Sequence, residues 1–407
     1  MADFAQTSPV TTLHDLGTVD SDELEERLVA AAREYRMGLI LPVTDSDMRS
    51  DPFLKIMEQL ELTEFIDTVC IVLNRAPNRE DYEEAHRRTF ALGSKAHLLW
   101  LDGPRCTALL NELIDADFPL DTPGKGRAVW FAFGYLLADP SLKAYALHDC
   151  DIVDYHRDML ARLCFPMAQP SLDFDYCKAF YARCTDRMHG RVARLLVAPL
   201  LKALLSMYGN DDYLTYMAGF RYPLSGEFAV TSTLARYNRI PSDWGLEVGT
   251  LAEVFRNTSL KRVCQVDLGR LYEHKHQALS LGDPNKGLMK MALDILTNVI
   301  RTLASRGIIL EAGHFRSLRS GYLRTAQDAI RQYHADALIN GLSFDRHAEE
   351  QAVEGFASQI PVAGEEYFNN PSGAAAIPNW TRVLTAFPDF PQRLRQAAQR
   401  DAEEFSV

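Results

Sequence analysis

Apolar residues along the chain fall into two patterns. Short unbroken runs occur at Gly38–Val43 (GLILPV), Thr68–Leu73 (TVCIVL), Leu98–Leu101 (LLWL) and Ala144–Leu147 (AYAL). They lack the alternation of a half-exposed strand and suit strands covered on both faces. Between them, Glu80–Leu92 and Gly126–Leu137 carry helical spacing. Upstream, Ser21–Tyr35 reads as a helix, with Ser21 as N-cap and acids at Asp22, Glu23, Glu25 and Glu26 in its first turn. Residues 1–19 carry no such pattern and read as a flexible extension. Short strands alternating with helices imply an α/β fold, a Rossmann-like, mostly parallel sheet with helices on both faces. After about residue 278 the pattern turns helical, at Gly287–Ser305, Leu318–Leu342 and Asn379–Phe405. The expected division is an extension and helix over 1–37, a ligand-binding catalytic domain over 38–278 and a helical C-terminal subdomain over 279–407.

Composition narrows the function. Of 407 residues, 47% are apolar and 24% charged, as in ordinary globular chains. The net charge of −12 disfavours nucleic acid and anionic lipid as partners. No apolar run approaches the roughly 18 residues of a membrane span, and the longest, Leu195–Leu205, is interrupted by Lys202. The N-terminus has no basic start followed by an apolar stretch, and the seven cysteines form no CxxC pair, so a cytoplasmic protein with reduced thiols is expected.

In parallel sheets ligands bind beyond the carboxyl ends of the strands. The chain has five DxD triplets, and only Asp45–Asp47 and Asp149–Asp151 closely follow an apolar strand. Paired carboxylates there suit a hard divalent cation with oxygen ligands, Mg2+ or Mn2+, which also neutralises a pyrophosphate; capping the next helix is the plainer alternative. Upstream, Pro123–Arg127 (PGKGR) flanks a lysine with glycines ahead of a helix. That arrangement can cradle a phosphate, although it is not a P-loop. Arg187, Arg191 and Arg194 fall at i, i+4 and i+7, one helical face, in a basic stretch suited to a small anion. Glu227 and Glu247 sit in Gly-containing apolar contexts, where a carboxylate needs partners such as sugar hydroxyls. His274 and His276 follow a strand-like QVDL and could add a metal ligand.

The order PGKG (Pro123–Gly126), DCD (Asp149–Asp151), HGRV (His189–Val192), PLSGE (Pro223–Glu227), WGLEVG (Trp244–Gly249), QVDLG (Gln265–Gly269) and EHKH (Glu273–His276) resembles the glucosyl-3-phosphoglycerate synthases. These are retaining glycosyltransferases of the GT-A fold, and the resemblance spans about Gly38 to Gln277. It implies a nucleotide-sugar donor, a small anionic acceptor such as 3-phosphoglycerate, and a homodimer formed through the helical C-terminus. It places Lys125 near the donor diphosphate and a Mg2+ or Mn2+ on Asp149, Asp151 and His274, with Cys150 where serine is usual. The donor would also meet Pro42, Val43 and Thr44 at the first strand's end, and Leu224 of PLSGE. Glu247 would lie close to the transferred sugar and share the catalytic role with Asp151. Gly190, Arg191, Val192 and Ala193 would form the acceptor loop, joined by His276.

Some positions depart from the family. The uracil-holding loop after the first strand reads Pro42-Val43-Thr44-Asp45, the acceptor-loop threonine is Ala193, an arginine is Tyr272 and an asparagine is His276. These leave the base open among UDP, GDP and ADP, the hexose between glucose and mannose, and the acceptor between 3-phosphoglycerate and another small acid. A sugar-1-phosphate nucleotidyltransferase would carry a Gly-rich basic loop where Val43–Asp47 stands, and a non-catalytic sensor would not need Asp149, Asp151, Glu247 and His274 intact.

Overall fold

The structure, a computed structural model, describes residues 5–241, 246–269, 279–280, 283 and 286–405. Its centre is an eight-stranded sheet. The strands are β1 (Thr11–Leu13), β2 (Arg36–Thr44), β3 (Thr68–Asn74), β4 (Ala96–Trp100), β5 (Leu142–Leu147), β6 (Tyr176–Phe180), β7 (Phe228–Thr231) and β8 (Val263–Asp267), in the order β1-β8-β6-β7-β5-β2-β3-β4. All neighbours pair in parallel except β7, which runs antiparallel to both β5 and β6. The four apolar runs are thus central strands or lie beside them. Their unbroken character has a direct cause: Leu39, Leu41 and Val43 of β2 enter the apolar cluster on one face, and Ile40 enters the cluster on the other.

Four expectations need correction. Residues 8–13 do not trail free. Val10 is fully buried, Ser8 Oγ donates to the Gly219 carbonyl at 3.1 Å, and β1 pairs with Cys264–Val266. The first helix, Ser21–Ala32, is capped by Asp20 rather than Ser21, since the Asp20 carboxylate accepts the Asp22 N–H. Asn379–Phe405 is not one helix but two, Trp380–Ala386 and Phe390–Phe405, because Pro388 removes a donor and restrains the residue before it. A helix over Arg346–Asn369 also lies where none was expected.

The helix Lys125–Leu137 covers β2, β3 and β5, and Gly126 and Ala128–Leu136 are all buried. The C-terminal segment grips it. Trp380 stacks on Trp130 at 4.3 Å between ring centroids, and its Nε1–H donates to the Trp130 carbonyl at 2.9 Å. A side chain at Gly134 would meet the Trp380 ring at 2.1 Å, so only glycine permits this approach. The helices Gly287–Ser305, Ala312–Ile339 and Arg346–Asn369 pack on one another. They contribute to the same apolar cluster as the Lys125 helix, which therefore runs from Val10 to Ala398.

Candidate active site

Strand order reverses direction between β2 and β5, and a cavity of about 1350 Å³ opens beyond the carboxyl ends of these strands. This is the switch point where open parallel sheets bind ligands. Pro42, Val43 and Thr44 line it from the end of β2, and Asp149, Cys150 and Asp151 from the end of β5. Lys125, Gly190, Arg191, Val192, Ala193, Leu224 and Glu247 complete the sequence-expected set within the described residues. His274 and His276 lie outside the described residues.

The strand-to-loop transition fixes the aspartates. His148 continues the ladder through its N–H to the Ile40 carbonyl at 3.2 Å. Its ring is fully buried, edge-on to Tyr155, and burial lowers its pKa to about 4, so the imidazole brings no positive charge to the site. Asp149 rests on the turn preceding β7: a Cβ at Gly226 would stand 2.3 Å from Asp149 Oδ2. Burial, and then the Asp149 charge, raise the Asp151 carboxyl to about 6. Two carboxylates at such cost in one cleft are what a divalent cation resolves. Among the described residues no cluster of three metal-binding side chains forms. Asp149 and Asp151 therefore fit a cation as a pair of oxygen ligands that needs completion from elsewhere.

Lys125 is the first residue of its helix, with the orphan N–H groups of that helix end nearby. Its ammonium bonds Asp149 Oδ1 and stands 3.7 Å from Glu247 Oε1. Burial works against its charge, but Asp149 and Glu247 outweigh that and hold its pKa above the ordinary value. The glycines of PGKG do not serve the phosphate alone, because a Cβ at Gly126 would meet the Pro241 carbonyl at 2.3 Å. Glu247 stands in the first turn of the helix Leu246–Asn257, with 16% of its side chain exposed.

The basic face is arranged differently from the expectation. Arg187 is not on the helix: it lies in a bridge to Ser343 and pairs with Asp186 at 2.8 Å. Gly190 has φ +73, a conformation that ends any helical continuity there, and the helix starts after it. Arg191 Nε and Arg194 Nη1 donate to the two oxygens of Glu349 at 2.8 and 2.9 Å, a buried carboxylate on the helix Arg346–Asn369. Arg194 is thereby committed to the packing, and Arg191 remains a cavity-lining cation with one donor occupied. Glu227 is fully buried and accepts the Tyr181 hydroxyl at 2.7 Å; it belongs to the support of the site.

Sequence reasoning noted Asp45–Asp47 after an apolar strand without assigning Asp47 to the site, and passed over Asn74 and Arg75; these three line the cavity from the ends of β2 and β3, and Lys290 and Asp294, also passed over, line it from the helix Gly287–Ser305. The first three follow apolar strands and were open to the same strand-end argument. Lys290 and Asp294 form an i, i+4 pair with no local signal of a site.

The chain is similar to known proteins over nearly its full length. The glucosyl-3-phosphoglycerate synthase of Persephonella marina is 41% identical over 401 residues, covering 98% of this chain and 99% of its own. That of Methanococcoides burtonii is 40% identical over 401 residues, covering 97% of each. Among solved structures, the glucosyl-3-phosphoglycerate synthase of Mycobacterium tuberculosis in complex with Mn2+, UDP-glucose and phosphoglyceric acid shares the fold at a TM-score of 0.52, with 23% identity, over 75% of this chain and 90% of that one. The mannosyl-3-phosphoglycerate synthase of Rubrobacter xylanophilus does so at 0.55, with 22% identity, over 74% and 83%. No family model matches the chain. The likeness carried by motifs over Gly38–Gln277 thus extends almost from end to end, and the chain belongs to the glucosyl-3-phosphoglycerate synthase family.

Proposed function

We propose that this protein transfers glucose from UDP-glucose to 3-phosphoglycerate, with retention of anomeric configuration, in a cavity that holds Mn2+ or Mg2+ on Asp149 and Asp151. His274 is the third ligand in this reading. The observation that carries it is the placement of Lys125 between Asp149 and Glu247 in the cavity lining. One cation there is shared between the metal-holding aspartate and the sugar-side glutamate, where a diphosphate joins a hexose.

The bound cation supplies positive charge to the departing diphosphate. Lys125 turns from Asp149 to a diphosphate oxygen and stabilises the same charge, aided by the N–H groups of its helix. Pro42, Val43 and Thr44 hold the nucleotide, and Leu224 and Glu247 hold the hexose. Gly190, Arg191, Val192 and Ala193, with His276, hold the acid and aim its hydroxyl at the anomeric carbon from the face the diphosphate leaves. The hydroxyl proton passes to the departing phosphate oxygen, so no protein nucleophile is required. The enzyme works as a cytoplasmic homodimer in this reading; consistent with a non-membrane setting, no helix among the described residues is long and apolar enough to cross a membrane. UDP release from UDP-glucose that depends on both 3-phosphoglycerate and Mn2+ tests the assignment; release indifferent to the acid contradicts it.

A further inference from the structure

Glu349 lies in the first turn of the helix Arg346–Asn369, outside every motif of the site, and is only 4% exposed. A buried carboxylate needs partners. Its two oxygens are divided between two arginines: Oε1 accepts from Arg191 Nε at 2.8 Å, and Oε2 from Arg194 Nη1 at 2.9 Å.

The two arginines are not equivalent. Arg194 is anchored at every nitrogen, because its Nε also donates to the His189 carbonyl at 2.8 Å and its Nη2 to the Met188 carbonyl at 3.4 Å. Its guanidinium lies 4.8 Å from the Tyr333 ring centroid as well. Arg191 has no such anchorage. Glu349 is its sole hydrogen-bond partner among the described residues, and its side chain is 36% exposed. A guanidinium carries five N–H donors. With Nε taken, those of Nη1 and Nη2 remain for a ligand in the cavity that Arg191 lines.

The chain around these arginines is itself held by the C-terminal helices. Val192–Val197 forms a widened, π-helical turn in which the Ala198 N–H bonds the Ala193 carbonyl, five residues back. Such turns are uncommon and frequently occur at functional sites. The Tyr322 hydroxyl donates to the Leu195 carbonyl at 2.7 Å, and the Ser343 N–H to the Asp186 carbonyl at 2.8 Å. Arg194 thus fixes Glu349, and Glu349 offers Arg191 a fixed acceptor. Two guanidiniums against one carboxylate also leave one positive charge for an acid. We propose that Glu349 is a positioning residue for the acceptor: it locks the Arg191 guanidinium through Nε so that both Nη groups are presented to an anionic group of the acid. This rests on the reading that Arg191 contacts the acceptor.

The sign of one kinetic change tests it. A carboxylate acting by charge alone would repel the acid, so its removal would lower KM for 3-phosphoglycerate. A positioning carboxylate predicts the opposite: Glu349→Gln, whose amide offers only one acceptor oxygen to two arginines, should raise that KM by about tenfold. At saturating acid kcat should change by less than about threefold, and so should the Kd for UDP. In an Arg191→Ala background the same change should alter KM by less than about twofold, since Glu349 acts through Arg191. An unchanged or lowered KM, an equal rise in both backgrounds, or a parallel loss of UDP binding would overturn the inference. Far-UV circular dichroism checks folding, and if Glu349→Gln does not fold, Glu349→Asp, too short to span both arginines, enters the same cycle with the same criteria. Arg191→Ala that left KM unchanged would remove Arg191 from the acceptor site and overturn the inference at its root. A wild-type protein that released no UDP in response to 3-phosphoglycerate would overturn the functional reading, and this inference with it; an active wild type with an additive cycle would overturn the inference alone.

Discussion

Gly226→Ala probes the link between the turn before β7 and Asp149, the proposed metal ligand, without replacing any charged group. The added Cβ would lie 2.3 Å from Asp149 Oδ2 and 2.8 Å from its Cγ, whereas ordinary contact begins at 3.4 Å. Gly226 does not occupy the left-handed region, so the new side chain adds no backbone strain and acts through that overlap. Either the carboxylate or the turn must yield by about 1 Å, and a misplacement of about 1 Å at a reaction centre costs about 100-fold. That corresponds to about 2.7 kcal/mol of transition-state stabilisation. The overpacking itself should lower global stability by about 1–3 kcal/mol, leaving the protein folded. Coupled-assay rates of UDP release and calorimetric titration with Mn2+ in the presence of UDP read the two effects separately. The expected outcome is a loss of about 100-fold in kcat/KM with weakened Mn2+ binding. Rates and Mn2+ affinity within about threefold of wild type would show that Asp149 is not held where the reaction needs it, and would refute the role given to this turn.

Burial and Asp149 hold Asp151 at about 6 rather than its ordinary 3.8. Without a cation the folded protein keeps a proton there that the unfolded chain has lost, so stability should fall as pH rises between these values and level off above. Mn2+ should bind about tenfold more weakly per pH unit below about 6 and with constant affinity above it; calorimetry from pH 5 to 8 giving a flat profile would contradict this. Lys125→Ala should weaken UDP binding by about 10- to 100-fold, yet leave Mn2+ binding without nucleotide undiminished, because Asp149 loses a competing partner; both are read by calorimetry. Arg191→Lys keeps the charge but loses the guanidinium fork that also reaches Glu349. Steady-state kinetics should show KM for 3-phosphoglycerate raised about tenfold or more, with UDP affinity little changed.

The parts of the fold legible in sequence are those where burial is symmetrical. β2, β3, β4 and β5 read as apolar runs because helices cover both their faces. β1 left no trace, being three residues long and defined by pairing with Cys264–Val266 far along the chain. The helix Arg346–Asn369 was hidden by Gly355, Pro361 and Gly364; Gly364 is tolerated because the Phe315 ring fills the space at 3.0 Å. Within the site, motifs placed Lys125, Asp149, Asp151 and Glu247 in one cavity, but not their pairings, which join Lys125 to carboxylates far along the chain. Arg187 was misassigned by extending helical spacing through Gly190, whose positive φ is the signal that the helix begins later. The partner of Arg191 and Arg194, Glu349, lies 158 and 155 residues away, and nothing local announces it.

Glucosyl transfer is proposed to occur in the cavity lined by Asp149 and Asp151. The most direct test incubates the wild-type protein with UDP-glucose, 3-phosphoglycerate and Mn2+ and follows the product by mass spectrometry and NMR, with Asp151→Ala and excess chelator in parallel. The predicted result is α-linked glucosyl-3-phosphoglycerate and UDP from the wild type, neither from the variant or the chelated enzyme, and GDP-mannose a poor substitute. Full activity under chelation, or a product lacking 3-phosphoglycerate, would contradict it.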